Sequence, residues 1–181
     1  MTQLTNKERE NLLDFTRKNI SWKLGLEETQ PVLEMKGEHC GAFVTLRKEG
    51  NLRGCIGNII SEKPVSETIF DISIAAAFRD PRFLPLAIDE LDKITIEISL
   101  LSPLEKVDNT AKIKPGRDGL YVKNGNYSGL LLPQVATEQE WDRETFINQT
   151  FVKAGLTPEY RDNENTEIYS FTAEVFGEEI I

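Results

Sequence analysis

Only two cysteines and one histidine occur among the 181 residues. Cys40, Cys55 and His39 fall short of the four ligands of a closed structural zinc site, and two cysteines cannot build a disulfide scaffold. A metal would need carboxylates, and no metal site or cofactor is predicted. Positive charge is scarce too: 21 Lys and Arg stand against 30 Asp and Glu, a formal net charge of −9. Affinity for a phosphate backbone rests on clustered cations, so the composition argues against nucleic acid as a partner. Long apolar runs are missing: the longest uncharged apolar stretch, Ile72 to Phe78, stops at Arg79, and the opening MTQLTNKERE turns charged before any apolar segment. No export signal or membrane span is expected, and free thiols suit a reducing compartment, so the expectation is a soluble cytoplasmic protein. The motifs GxxxxGK(S/T), GxGxxG, HExxH, GxSxG and CxxC are also lacking. That removes motif support for P-loop, Rossmann, zincin, α/β-hydrolase and thioredoxin-like chemistry.

What is present is ordered. Thr5-x-x-Glu8 forms a capping box ahead of Leu12, Leu13, Phe15 and Ile20 at near-helical spacing, which predicts a helix over about 5–19 and short turns over 21–40. Ala42, Val44 and Leu46 alternate, Lys48-Glu49-Gly50-Asn51 reads as a turn, and Leu52, Gly54 and Ile56 resume the alternation. This is a β-hairpin. Pro64 can open a helix whose stripe is Val65, Ile69, Ile72 and Ala76, closed by Asp80-Pro81, and Ile94, Ile96, Ile98 and Leu100 mark a half-buried strand. The second half repeats this order. A hairpin turns at Asn124-Gly125, Thr137-x-x-Glu140 caps a helix carrying Trp141, Phe146, Ile147 and Ala154, and a strand alternates through residues 168–176. The predicted fold is α+β, mostly antiparallel sheet, with hairpin-helix-strand twice. One domain covers 1–181, with a helical N-terminal part over 1–38, a first unit over 41–102 and a second over 118–176.

The densest unusual segment is Leu52-Arg53-Gly54-Cys55-Ile56-Gly57. Strand alternation puts Leu52 and Ile56 on one face and Arg53 and Cys55 on the other, where a guanidinium would favour the reactive thiolate. Gly54 and Gly57 weaken a strand and suit a place where something approaches closely. Cys55 is the candidate catalytic nucleophile, with His39 the one imidazole available as its base. The competing reading is a buried structural thiol, strand glycines marking a bulge, and a structural histidine. Asp80-Pro81-Arg82-Phe83 is a rigid helix exit, in which Asp80 and Arg82 are ligand-binding candidates; alternatively Arg79 and Arg82 complement the helix dipole. Gln134, just ahead of a helix N-terminus, is a further ligand-binding candidate, while Trp141 reads as core. The acidity lies mainly in residues 103–181, with 8 basic against 14 acidic groups, whereas residues 41–83 hold six basic and five acidic ones. A small anionic ligand at Arg53 and Arg82 therefore stays open.

Gly41-Ala42-Phe43-Val44-Thr45-Leu46, the LRGCIG segment at 52–57, Asp80-Pro81-Arg82-Phe83, Ile98-Ser99-Leu100-Leu101-Ser102-Pro103, Leu131-Leu132-Pro133-Gln134-Val135 and Lys153-Ala154-Gly155-Leu156 occur in an order that resembles one family, the AMMECR-like domain family (AmmeMemoRadiSam system protein A). The resemblance runs from about residue 5 through nearly the whole chain. It implies an α+β fold with internal duplication, and a functional LRGCIG segment of undemonstrated chemistry, here Leu52 through Gly57. It also implies partnership with a Memo-like protein and a radical SAM protein. At Phe151 the chain departs from the cysteine that members often carry there, which argues against a two-cysteine mechanism. Two functions follow as expectations: an enzyme or substrate-handling subunit acting through Cys55 with those partners, or a non-catalytic binding or adaptor protein. Regulatory nucleic-acid binding is the weakest alternative.

Overall fold

The capping box at Thr5 forms as expected: its hydroxyl accepts from the Glu8 amide at 3.3 Å, and the Glu8 carboxylate accepts from the Thr5 amide at 2.8 Å. In the computed structural model, which describes residues 4–33, 35 and 39–178, this cap opens α1 (Asn6–Lys23). In chain order there follow β1 (Ala42–Lys48), β2 (Asn51–Asn58), α2 (Val65–Phe78), β3 (Ile94–Leu101), β4 (Glu105–Lys106), β5 (Gly119–Asn124), β6 (Tyr127–Leu131), α3 (Pro133–Glu138), α4 (Arg143–Lys153), β7 (Thr166–Phe171) and β8 (Ala173–Gly177). Short 3-10 turns cover Ile88–Lys93, Thr110–Lys112 and Pro158–Asp162. Residues 34 and 36–38, within the stretch expected as turns, lie outside the described residues.

The chain divides into two units, Met1–Leu101 with Glu174–Ile181, and Ser102–Ala173. The first holds a sheet in the order β2-β1-β3-β8. Ala42, Val44 and Leu46 of β1 and Ile94, Ile96, Ile98 and Leu100 of β3 form a buried face. They join one core with Leu12, Phe15 and Ile20 of α1 and Ile69, Ile72 and Ala76 of α2, the outcome alternation and helical spacing dictate. The second unit has the order β4-β7-β5-β6, with Leu120, Val122 and Ile168 packed in a core with Phe146, Ile147 and Phe151 of α4. Hairpin, helix and strand thus recur, and the fold is α+β with antiparallel pairing throughout the registered ladders.

Four local expectations are corrected. The single strand expected over 168–176 is two strands, β7 and β8, broken at Thr172 and assigned to different sheets. Thr137 does not cap the long helix: it lies inside α3, and α4 is capped by Asp142, whose carboxylate accepts from the Thr145 amide at 2.8 Å. The second hairpin turns at Gly125-Asn126, with Asn124 still paired to Tyr127. The fourth concerns β2. Leu46 faces Gly54 while Arg47 faces Leu52, so Arg53 is an extra, bulged residue. The bulge resets the alternation and places Leu52 on the face opposite Ile56. Among the described residues, no helix is long and apolar enough to cross a membrane.

Candidate functional site

β2 is an edge strand, so alternate N–H and C=O groups along it point away from β1. At Cys55 both outward groups are occupied by side chains. The Cys55 amide donates to Asp80 Oδ2 at 2.9 Å, and the Cys55 carbonyl accepts from Arg82 Nη2 at 3.2 Å. Asp80 and Arg82 in turn hold each other: Nη2 donates to Oδ2 at 2.7 Å and Nε to Oδ1 at 2.9 Å, and the Arg82 amide adds a bond to Oδ1 at 3.1 Å. A carboxylate and a guanidinium stand where the C=O and N–H of a neighbouring strand would stand. The rigid turn explains the placement, because Pro81 stops α2 and the Phe83 amide closes onto the Asp80 carbonyl. The two motifs picked out in the sequence therefore meet at one peptide.

Asp80 is buried while Arg82 is half-exposed. The Arg82 guanidinium holds the Asp80 carboxyl well below the usual carboxylate range, against burial and with help from the Cys55 and Arg82 amides. Arg53 behaves similarly. Its Nε and Nη2 donate to the two oxygens of Glu90 at 3.1 and 2.8 Å, Lys48 Nζ adds a bond at 2.9 Å, and the Arg53 and Lys48 cations together hold Glu90 far below its ordinary range. The Phe83 ring lies within cation–π reach of both guanidiniums, 5.9 Å from Arg53 and 5.5 Å from Arg82. Both cations proposed for an anion thus already have carboxylate partners. Glu90 was missed in the sequence, where nothing marks a residue 37 positions from Arg53 as its counter-ion.

The glycines have internal occupants. A Cβ on Gly54 would collide with the Ala76 carbonyl of α2, and one on Gly57 with the Phe43 ring. Close approach is indeed what these glycines permit, but the chain itself makes the approach. The Cys55 side chain is half-buried, and its Sγ accepts from the Thr45 hydroxyl at 3.3 Å. His39 is exposed and its Nδ1 contacts the Glu62 carbonyl. Gln134 belongs to the other unit, in the first turn of the six-residue α3. Among the described residues, no group of three His, Cys, Asp or Glu is placed to hold a metal ion.

The duplication supplies an internal comparison. Gly129 of β6 corresponds to Gly54: each sits in the second hairpin strand, and a Cβ on Gly129 would collide with the backbone at Ala154. Leu130 then stands where Cys55 stands, and Thr157-Pro158-Glu159 follows α4 as Asp80-Pro81-Arg82 follows α2. Among the described residues, the carboxylate–guanidinium clamp is found in the first repeat and not in the second.

The family model described as AMMECR1 matches residues 9–176. A protein of Thermococcus gammatolerans is 46% identical over 163 residues, covering 84% of this chain and 78% of that protein. One from Methanopyrus kandleri is 42% identical over 190 aligned positions, covering 98% and 91%. The crystal structure of an uncharacterized protein from Pyrococcus horikoshii superposes with a TM-score of 0.89 at 39% identity, covering 97% of this chain and 94% of that one.

Proposed function

The chain belongs to the AMMECR1 family, and from that premise we propose that it is a non-catalytic binding or adaptor protein whose docking surface lies along the β2 edge and the adjoining segment 82–90. One observation carries this. The charged groups and glycines of the LRGCIG and DPRF segments are already engaged by partners within the chain, while the large apolar side chains beside them are left in solvent. Leu84 is 84%, Ile88 57% and Leu52 38% exposed. Arg53 ties their segments together through Glu90 and Phe83. Single exposed apolar residues are ordinary, but three on one braced scaffold fit a partner's apolar surface. The Memo-like and radical SAM proteins implied by the resemblance are the partners to test. Mixed at micromolar concentration, at least one should bind, and Leu84→Glu with Ile88→Glu should weaken binding at least ~10-fold. Absence of binding to either would remove the adaptor reading.

A second reading, a substrate-handling enzyme acting through Cys55, draws on the half-buried thiol presented on a peptide clamped at both its N–H and C=O. Its test is alkylation of the folded protein: a Cys55 that labels only on unfolding has no such role. A small anionic ligand at Arg53 or Arg82 would compete with Glu90 or Asp80 for the guanidinium, so anion binding is not part of the favoured reading.

A further inference from the structure

Asn124-Gly125 is the one Asn-Gly pair in the chain. Asn124 is the last residue of β5, and the turn itself is Gly125-Asn126. Glycine after asparagine matters chemically: with no Cβ in the way, the following amide nitrogen can close a five-membered ring on the side-chain carbonyl carbon. The nucleophile is available here. Gly125 is exposed, lies at φ +58° with open space where a Cβ would be, and among the described residues nothing accepts from its N–H.

The electrophile is held back. Asn124 stands opposite Thr166 of β7, and its Nδ2 donates to Thr166 Oγ1 at 2.8 Å and to Asn163 Oδ1 at 3.2 Å. Both partners act as acceptors. The Thr166 hydroxyl donates its proton to the Tyr160 carbonyl at 2.7 Å, and Asn163 Oδ1 also accepts from the Asn165 amide at 2.9 Å. Both N–H groups of the Asn124 side chain are thus fixed on the β7 side. Pairing with Tyr127 on one flank and Thr166 on the other keeps the Asn124 backbone extended, which turns the Gly125 nitrogen away from the side chain it would attack.

We propose that Asn124 is a covalent modification site, that it deamidates by ring closure with Gly125, and that Thr166 and Asn163 set the rate by holding its amide. In the first step the Gly125 nitrogen gives up its proton and bonds to Asn124 Cγ, the Cγ–Nδ2 bond breaks, and the nitrogen leaves as ammonia carrying that proton. Water then adds to one of the two ring carbonyls and the C–N bond there opens, leaving an aspartyl or an isoaspartyl residue. One water is consumed and one ammonia released, and no oxidant or reductant takes part. The product cannot return to the latch. A carboxylate oxygen replaces the donor that faced Thr166 Oγ1 and Asn163 Oδ1, and the isoaspartyl form adds a backbone carbon at the end of β5. The reaction therefore turns a local opening of the hairpin end into its permanent release from β7. This inference is independent of the docking surface on the first unit.

Peptide mapping by mass spectrometry with an isoaspartate assay, on the full chain incubated at neutral to mildly alkaline pH, tests it. In the native fold Asn124 should convert at least ~10-fold more slowly than in the same chain unfolded in urea. Thr166→Val, which removes the acceptor, should convert about 5-fold faster than the native chain or more, and Thr166→Ser, which keeps it, at the native rate. Ile147→Val loosens the core of the same unit without touching the latch and should leave the rate unchanged. A Thr166→Val variant converting at the native rate would overturn the proposal. So would an Ile147→Val variant as fast as Thr166→Val, since conversion would then follow unfolding of the whole unit. Isoaspartate found chiefly at Asp118-Gly119 would overturn the assignment of the site.

Discussion

Asp80 satisfies three different donors with one buried carboxylate: the Cys55 amide, the Arg82 amide and the Arg82 guanidinium. Removing it orphans an outward N–H at the sheet edge and leaves a cation without a counter-ion. Asp80→Ala should therefore lower stability by about 2–3 kcal/mol, less than a fully buried ion pair because Arg82 is half in solvent. Denaturant unfolding at neutral pH measures it. Asp80 and Glu90 also make a pH prediction with a definite sign. Both carboxyls titrate below their unfolded values of about 4, so the stability they confer is complete above that range and is lost as pH falls through it toward their folded values. The native chain should lose stability below about pH 4 more steeply than an Asp80→Asn, Glu90→Gln double variant. Equal slopes in acid would show that these pairs do not govern the loss. Gly54→Ala probes packing at the same strand. The new methyl meets backbone, not a movable side chain, so α2 must shift, at a cost of about 1–3 kcal/mol. A variant as stable as the native chain by thermal unfolding would mean that α2 moves freely over β2.

At the scale of elements, α1 is joined to β8 and to the residue just after it by a matched pair of ties. Arg9 pairs with Glu174 at 2.8 Å and Arg17 with Glu178 at 2.6 Å. Eight residues of helix rise about 12 Å and four of strand about 13 Å, so the two spacings agree. The ties are unequal. Arg17 also donates to the carbonyls of Leu91 and Ile94, and Glu178 accepts from the Ile96 amide, so this pair joins α1, the 88–93 turn, β3 and β8. Arg17→Ala should cost about 2–3 kcal/mol and Arg9→Ala about 1 kcal/mol or less, read as a difference in denaturation midpoint. These ties also mark where sequence reasoning stops. Caps, alternation and helical stripes are local, and they announced α1, both hairpins, α2 and β3. The split at Thr172 was invisible because β7 and β8 keep apolar residues in step across it, and sheet membership is decided by distant partners. The LRGCIG and DPRF segments were conspicuous one by one. The bulge at Arg53 was not, since alternation assumes an unbroken ladder, and the capping pattern at Thr137 was genuine in form but overridden where Glu140 turns left-handed, with φ of 53°.

The orders β2-β1-β3-β8 and β6-β5-β7-β4 are the same arrangement written twice. In each, a hairpin is followed by a helix and a third strand on the far side of the first. The fourth strand comes from the other repeat: β4 follows β3 in sequence but pairs with β7, while β8 follows β7 but joins β3. The two repeats exchange their last strands. The exchange makes β8 structural for the first unit, because without β8 and Glu178 the backbone edge of β3 loses its neighbour and the guanidiniums of Arg9 and Arg17 lose their carboxylates. The second unit, by contrast, draws every strand of its sheet from Ser102–Ala173. A chain ending at Thr172 should thus show two thermal transitions by calorimetry, the first unit melting earlier by roughly 10 °C or more and the second near its native temperature. A synthetic peptide of residues 172–181, added in excess, should move the early transition upward by mass action, and the same peptide with Glu174→Gln and Glu178→Gln should move it less. If the truncated chain melts in one transition at the native temperature, β8 does not stabilise the first unit, and the strand exchange is a feature of topology without energetic weight.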